Sequence, residues 1–548
     1  MNVRHSAIRI GLLVALPLLK SAAQTASVDP TQDILPPSPN AAAFTKYVDF
    51  PVNTSTGTPS VSVPLGMLEG RGISVPISLD YHAGGVRVDE VSSIVGLGWS
   101  LNAGGVVTRS VVGLPDEDDD GFMFKGNSVP QPPIDDAPKY AAMQNFASGA
   151  YDGQPDMFQF NFAGYSGKFI FDDAATVRLI PRQDLKVTYT TCSSCPGQLP
   201  AGTIISITIT APDGLQYLFG TSSAVEYSTT SGYQVGGTTS CAVKTFDFPA
   251  ATAWHLKSIT NPRTGDVATF NYATNRIYYD VSYNESFAYP APGNLSGQPA
   301  CPSGVSVSKC VSTKTDYGVY LTSIVSSQGR ADFLSNATRS DVTVQAGQYR
   351  INEVKFYGFE NALLKSYQLT QTFIQSTGST PSTAPTSTYR MYLDEVKEYS
   401  SSATLINTQY FEYYNRQSLP PRMSHKQDTW GFFNNKNNGQ STPLPGNSPT
   451  TLQYLLTYHP SFSPADRKPD PNYAYYGTLK KTTYPTGGTA EYEFEGNQLP
   501  VCQTVDVPTN TVTSEYVVYS GAPQTKTKDF YLDHNQWVTI NYYVLMNG

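Results

Sequence analysis

The chain has 548 residues, of which only 15% are charged, whereas Tyr (37), Phe (25), Gly (43) and Pro (40) are abundant. Aromatic residues suit a pleated sheet, and this density of Gly and Pro leaves few windows long enough for a helix, so the composition favours an all-β fold. The formal net charge is -8, and no cluster of Lys and Arg could follow a phosphate backbone, which argues against nucleic acid as a partner.

The amino terminus has the order of a secretory signal peptide. Basic residues precede an apolar run at positions 10–19, and small residues follow at 21–23. The run is too short to span a bilayer, so we expect cleavage after Ala23 and a mature chain without a transmembrane segment. The sequence therefore predicts a signal peptide at 1–23, a Pro-rich linker at 24–45 and a secreted or cell-surface location.

An acidic loop at 116–121 places Asp at alternate positions before a Gly. Oxygen ligands from Asp116, Asp118 and Asp120 could converge on one hard cation, as in calcium loops. The twelfth position is Asn127 and not Glu, which excludes a full EF-hand. The pattern gives a candidate calcium site, with a solvated acidic turn as the alternative, and no other cofactor is expected.

Hairpins are the clearest local structures in the sequence. Apolar and polar residues alternate at 205–219 on both sides of the turn Pro212-Asp213-Gly214, which is a strong hairpin pattern. The segment 157–172 repeats this arrangement, with three alternating Phe before a Gly turn and two Phe after it. Both segments are predicted to form antiparallel strand pairs.

The six cysteines of an exported chain are more typical of disulfides than of metal ligands. Cys192 and Cys195 form a CxxC in a polar loop, and Cys301 and Cys310 bracket a second loop, so two local bridges are predicted. A redox or zinc site would need a helix start or a second ligand pair nearby, and the sequence has neither. The remaining two cysteines are Cys241 and Cys502.

An internal repeat begins at Leu256 and again at Leu479. Each copy has an apolar strand, a Gly turn and an aromatic strand, and weaker copies begin at Leu321 and Leu393. One such hairpin cannot bury its apolar face alone, so the copies are expected to stack side by side into a continuous sheet.

The expected domains follow from this repeat. A soft boundary near 246–254 separates an amino-terminal β domain at 46–250 from a hairpin-repeat region at 251–500. The last segment, 501–548, is interpreted as terminal strands of a truncated repeat. An open sheet of this kind would have edge strands that invite pairing with another chain.

The stretch 58–116 carries the most specific motifs. It contains Pro59-Ser-Val-Ser-Val-Pro64-Leu, Gly98-Trp99-Ser-Leu-Asn102-Ala-Gly104-Gly105 and Gly113-Leu-Pro-Asp116, and Asp428-Thr-Trp430-Gly431 follows much later. These motifs resemble RHS/YD-repeat proteins, particularly the amino-terminal portion of large secreted members from Bacteroidetes-type bacteria. The resemblance implies a β-ribbon wound into a shell around a toxin or effector segment.

Two histidines of the sequence are candidates for a catalytic role. His425 and Asp428 lie three apart before Trp430, but no nucleophile or third group can be assigned to them, so a hydrogen-bonded turn is the interpretation. His255 lies in a strand pattern beside Trp254 and is interpreted as structural. No catalytic residue is assigned, and the chain is predicted not to be an enzyme.

The predicted function is a non-enzymatic shell segment of an exported RHS/YD-type protein. Its partner would be the remainder of a longer RHS polypeptide or a cargo segment, or a surface glycan or protein. A surface adhesin or glycan-binding module and a β-rich hydrolase are the alternatives. A shell would turn its aromatic residues into the interior, a glycan binder would expose a planar row of them, and a hydrolase would converge acidic or His side chains in a pocket.

Overall fold

The computed structural model describes residues 34–35, 38–39, 58–133, 136–235, 249–288, 306–335, 338–347, 350–438 and 465–496. The prediction of an all-β fold is confirmed, since most of these residues lie in antiparallel strands. All of them fall in one compact unit, which ends at Gly496. The predicted signal peptide, the terminal segment 501–548 and the cysteines at 241, 301 and 502 lie outside the described residues.

The strands are numbered in chain order. They are β1 (Ile34–Leu35), β2 (Ser60–Glu69), β3 (Ser74–His82), β4 (Trp99–Ala103), β5 (Gly105–Val112), β6 (Met157–Phe162), β7 (Tyr165–Phe171), β8 (Val177–Ile180), β9 (Lys186–Thr191), β10 (Ile204–Thr210), β11 (Gln216–Gly220), β12 (Val225–Gln234), β13 (Ala250–Asn261), β14 (Asp266–Ala288), β15 (Ser306–Val325), β16 (Gly329–Leu334), β17 (Thr343–Ala346), β18 (Glu353–Gly358), β19 (Leu363–Gln375), β20 (Tyr389–Ser400), β21 (Leu405–Tyr413), β22 (Leu479–Thr483) and β23 (Thr489–Glu491). Two α-helices, Phe122–Lys125 and Ala137–Ala147, lie between β5 and β6.

Two sheets contain the described strands. Strands β2, β3 and β4 form a three-stranded sheet, and the other twenty form a large antiparallel sheet. From β18 to β23 the large sheet is a simple meander in which each strand pairs with the next. Strand β13 pairs with β5, so the sheet continues across the position of the predicted soft boundary.

The hairpin predicted at 205–219 is confirmed as β10 and β11. Ile209 pairs with Tyr217 across the turn, and Gly214 adopts a φ of 87°, which a side chain would disfavour. A bulge between Ile204 and Ser206 shifts the alternation, so Ile204 rather than Ile205 lies on the buried face. The hairpin predicted at 157–172 is β6 and β7, where Phe158 pairs with Phe169.

The predicted repeat corresponds to four hairpins of the large sheet. The copies starting at Leu256 and Leu321 are β13–β14 and β15–β16, and those starting at Leu393 and Leu479 are β20–β21 and β22–β23. Within each half the copies are neighbours, because β14 pairs with β15 and β21 pairs with β22. Their apolar strands share one continuous core, as the stacking argument expected.

The chain passes from the small sheet to the large one at Gly104, between β4 and β5. Its φ is 106°, and a Cβ here would lie 2.6 Å from Cε1 of Phe270. Trp99, at the start of β4, is fully buried and donates from Nε1 to the Tyr413 hydroxyl at 2.8 Å. The Tyr81 hydroxyl of β3 accepts from the backbone N–H of Leu479 at 2.9 Å, so the small sheet is bonded to the last described strands.

Candidate functional site

The strongest concentration of buried charge surrounds Asp116, at the start of the predicted calcium loop. Asp116 and Asp156 are both fully buried. The Asp156 N–H donates to Oδ1 of Asp116 at 2.8 Å, and the Asp116 N–H donates to Oδ2 of Asp156 at 3.1 Å. The other Asp156 oxygen accepts from the Val112 N–H at 2.7 Å. We call Asp116, Asp156, Glu117 and Arg109 the carboxylate clasp.

Arg109 supplies the cation of the clasp from the middle of β5. Its side chain is fully buried, with Nη1 at 2.5 Å from Oε2 of Glu117 and 3.5 Å from Oδ2 of Asp156. Its Nε donates to the Ala251 carbonyl at 2.8 Å. The guanidinium also lies 5.6 Å from the ring of Phe158 and 5.3 Å from that of Trp254. One cation therefore faces three buried carboxyl groups.

Burial raises the pKa values of the two aspartates, and the neighbouring carboxyl groups add to this effect. Burial raises the pKa of Asp116 to about 7, against the opposing effects of the Asp156 backbone hydrogen bond and of Arg109. Burial and the neighbouring charge of Asp116 also hold the pKa of Asp156 well above its usual value. Relative to a solvent-exposed aspartate, each of these carboxyl groups therefore favours its protonated form.

The predicted calcium ligands are not brought together. Asp116 points inward to the clasp, Oδ1 of Asp118 accepts from the Asp120 N–H at 3.0 Å, and Oδ1 of Asp120 lies 3.2 Å from Nζ of Lys125. Within the described ranges no three acidic, His or Cys side chains form a group that could hold a metal ion. The first carboxylate is bonded by the Asp156 backbone, and that of Asp118 is bonded within its own turn.

The clasp closes the two ends of the segment that carries both helices. Asp152 accepts from the Leu114 N–H at 3.0 Å, and its own N–H donates to the Asp120 carbonyl at 2.9 Å. Neither helix of this segment has a buried residue. Polar contacts at its base hold the segment, and Met123 of the first helix packs against the main core.

The predicted disulfide pairs are partly described. Cys192 and Cys195 are joined by a disulfide, with their Cα atoms 5.2 Å apart, in the loop between β9 and β10. Cys195 packs against the main core, so the bridge closes the end of this hairpin. Cys310 is also disulfide-bonded, and Cys301 lies outside the described residues.

A second buried polar group lies inside the large sheet. Nε2 of His255 is 3.1 Å from Oε1 of Glu226, and the Ser38 hydroxyl donates to the same carboxylate. The pKa of Glu226 is lowered overall. Burial alone would raise it, but the effects of His255 and of these hydrogen bonds are together larger. His255 lines part of a cavity of about 40 Å³, and Glu226 lines part of a second cavity of about 20 Å³. These volumes hold a few water molecules only.

The segment of His425 and Asp428 contains the predicted hydrogen-bonded turn. Oδ1 of Asp428 accepts from the N–H groups of Trp430 and Phe432, at 2.8 and 3.0 Å. The buried His425 ring lies 5.0 Å from the ring of Tyr283. The turn presents Trp430 with 70% of its surface exposed.

Sequence reasoning missed Arg109, Asp156 and Trp430. An isolated cation within the apolar strand β5 was a usable signal for the clasp, because a buried guanidinium requires acidic partners. The Asp-x-Trp-Gly spacing likewise fits a carboxylate-capped turn, but nothing in a single sequence shows whether the Trp is buried.

The fold and the polar groups define an all-β protein built from stacked antiparallel hairpins with internal ionic contacts. No protein-family model and no curated protein matches the chain. Among solved structures, it has a weak similarity to the N-terminal domain of effector protein SpvB from Salmonella typhimurium strain LT2. The TM-score is 0.31 and the identity 12%, over 63% of this chain and 99% of that one. In the described ranges no helix is both long and apolar enough to cross a membrane.

Proposed function

We propose that this chain is a non-enzymatic structural module of an exported RHS/YD-repeat protein, in which stacked β-hairpins form part of a shell for a toxin or effector segment. The observation that carries the proposal is the direction of the aromatic side chains on successive hairpins. Phe158, Phe160 and Phe270 are fully buried, and Tyr217 is 3% exposed. Tyr272, Tyr492 and Phe494 are partly buried and pack against the same core.

This arrangement favours a shell over a glycan-binding sheet. Sugar binding on a sheet needs a row of exposed ring faces, whereas these rings are packed within the protein and stabilise it by burial. Consecutive hairpins in register give a ribbon that can be extended at either end by further copies of the same unit. Both properties fit a wall built from repeats.

The use of the ionisable groups supports a structural role rather than hydrolysis. Asp116 and Asp156 bond each other's backbone, Asp428 caps a turn, and Glu226 accepts from the backbone N–H of Val319 at 3.3 Å. Acidic residues of a hydrolase would instead converge on a space large enough for substrate. These groups connect strands and loops.

The test is protection of the polypeptide encoded directly downstream of this chain. We expect that polypeptide to resist trypsin when it is produced joined to this chain, and to be digested when it is produced alone. Equal digestion in both forms, or an unrelated gene directly after the codon for Gly548, would overturn the encapsulation role.

Export has a separate test. Mass spectrometry of the protein purified from the culture medium or cell surface of its native host should show a mature amino terminus at Gln24. A chain that starts at Met1 and stays with the cytoplasmic fraction would contradict the exported location.

A further inference from the structure

The amino-terminal end of the described chain lies along the large sheet. Residues 34–35 and 38–39, here called the strap, belong to this end. The two residues of β1 pair antiparallel with Val111 and Val112 at the end of β5. Strand β6 pairs with β5 as far as Ser110, and β13 stops earlier, so β1 is the strand that pairs with these last two residues in the described part of the chain. The strap is thus a short added strand.

The strap also places a hydroxyl group in the interior of the protein. Ser38 is 4% exposed, and its hydroxyl donates to Oε2 of Glu226 on β12. The other oxygen of this carboxylate accepts from the Val319 N–H at 3.3 Å and lies 3.1 Å from Nε2 of His255. Ser38, Pro39 and Glu226 line the cavity of about 20 Å³. The strap therefore bonds a carboxylate that three neighbouring strands share.

The sequence of the strap limits how firmly it can be held. Proline occupies positions 36, 37 and 39, and without an N–H it cannot donate to a neighbouring strand, so the pairing with β5 is short. A strand of two paired residues opens at a lower free energy than the long strands of the core. Proline also restricts the free segment, so less conformational entropy is lost when it binds.

These features are those of a bound peptide rather than of a core strand. Peptides that add a strand to the edge of a sheet bind through their backbone and gain specificity from side chains placed in pockets. Here the backbone contact is made by β1 and the buried side chain is Ser38. The end of β5 and the Glu226 carboxylate together form the surface that receives them, which we call the acceptor site.

The connection between the strap and the rest of the protein is long. Eighteen residues, 40–57, separate Pro39 from Thr58. A chain of this length spans at most about 65 Å when fully extended, which is enough to reach the acceptor site of a neighbouring copy. Exchange of an identical segment between two copies keeps the same contacts and therefore costs little free energy.

We propose that the strap is an exchangeable peptide, which occupies the acceptor site of its own chain in a single molecule and that of a second copy in a dimer. The short tether favours the closed monomer at low concentration, because it holds the strap near its site at an effective concentration in the millimolar range. Exchange would join the modules in pairs. It is independent of the shell role, because it uses the end of a strand and none of the packed hairpin aromatics.

The experiment uses the full chain with a specific protease site inserted between Lys46 and Tyr47. After cleavage the strap is held by its contacts alone, so a fluorescent synthetic peptide of residues 24–46 should replace it. The peptide should bind the cut chain about tenfold or more tightly than the uncut chain, in which the tethered strap competes. A Ser38→Ala peptide, which cannot donate to Glu226, should bind about tenfold more weakly.

Ser27→Ala in the same peptide is the matched control, since it removes a hydroxyl outside the strap, and its binding should equal that of the parent peptide. Light scattering of the uncut parent chain should show dimers as its concentration approaches the millimolar range, and excess peptide should return them to monomers. Melting temperatures check that the cut chain remains folded when the peptide is exchanged.

Four results would overturn the proposal. A cut chain that keeps its own strap and binds no peptide, or one that unfolds when the strap leaves, would make the strap an integral part of the core. A parent chain that stays monomeric at all these concentrations would exclude exchange with a second copy. Dimers that persist in excess peptide would assign the association to a different surface.

Discussion

Asp116 and Asp156, forty positions apart, each accept a hydrogen bond from the backbone N–H of the other. The two buried carboxyl groups therefore hold the loops on either side of the helical segment together. Arg109 contacts Glu117 and Asp156, and the fully ionised group of one cation and three carboxylates carries excess negative charge. This relationship makes the stability of the module depend on pH.

We expect the free energy of unfolding to decrease as the pH rises from about 4 to about 7. The folded-state pKa of Asp116 is raised from 3.8 to about 7, so the folded chain binds more protons than the unfolded chain in this window, and stability falls until the pH exceeds the folded value. The loss for Asp116 is on the order of 4 kcal/mol over the whole window, of which about 3 kcal/mol falls between pH 5 and pH 8. Urea unfolding monitored at pH 5 and pH 8 measures it.

Asp116→Asn should flatten this pH profile. The carboxamide oxygen can still accept from the Asp156 N–H, but it does not ionise, so the variant should be more stable than the parent chain at pH 8. Asp119→Asn, on the exposed part of the same loop, is the control and should leave the profile unchanged. A parent chain that gains stability between pH 5 and pH 8 would contradict this account of the clasp.

Replacing Arg109 by Met tests the cation of the clasp. The substitution leaves Glu117 and Asp156 buried without their partner, which we expect to cost about 3–5 kcal/mol at pH 8 and less at pH 5, where the carboxyls can protonate. Arg178→Met is the control, because the side chain of Arg178 is 64% exposed in its pair with Asp172. That variant should lose less than about 1 kcal/mol. Equal losses in the two variants would exclude a special role for Arg109.

Trp99→Phe tests the connection between the two sheets. The change removes the hydrogen bond from Nε1 to the Tyr413 hydroxyl and leaves a small cavity, so we expect a destabilisation of about 2 kcal/mol in chemical unfolding. The same change at Trp430, which is 70% exposed, should alter stability by less than about 0.5 kcal/mol. A neutral Trp99→Phe would show that this contact does not stabilise the fold.

The bridge between Cys192 and Cys195 closes a very short loop, so its contribution should be modest. Cys195→Ser should lower the free energy of unfolding by about 2 kcal/mol. Mass spectrometry of the non-reduced protein should find no free thiol at either position. Alkylation of Cys192 in the intact protein would show that the bridge is absent.

Local features of the fold were predictable from sequence. The alternation around Pro212-Asp213-Gly214 determines a hairpin by itself, since the turn and the pairing partners lie within fifteen residues of one another. The passage of the chain from the small sheet to the large sheet at Gly104 was not predictable, because the need for Gly there comes from the distant ring of Phe270. The pairing of β13 with both β5 and β12 also depends on strands far apart in sequence.

The candidate site was located in part, and within the described residues Asp116, Asp118 and Asp120 form no group that could hold a metal ion. The acidic run correctly drew attention to Asp116, but alternation alone cannot show which carboxylate is buried. The backbone N–H that bonds the Asp116 carboxylate belongs to Asp156, forty residues further on. At Trp430 the turn was predicted, whereas the exposure of the ring depends on packing by segments around Val88 and Arg467.

The bond between the Tyr81 hydroxyl and the Leu479 N–H joins residues 398 positions apart, and that between Trp99 and Tyr413 spans 314. Contacts between residues so far apart in sequence form late in folding, because the long loop between them must first lose conformational entropy. The three-stranded sheet therefore stays incompletely buried until the last described strands have been synthesised. A newly made chain would expose apolar strands for most of its synthesis, so we expect slow folding and a dependence on chaperones.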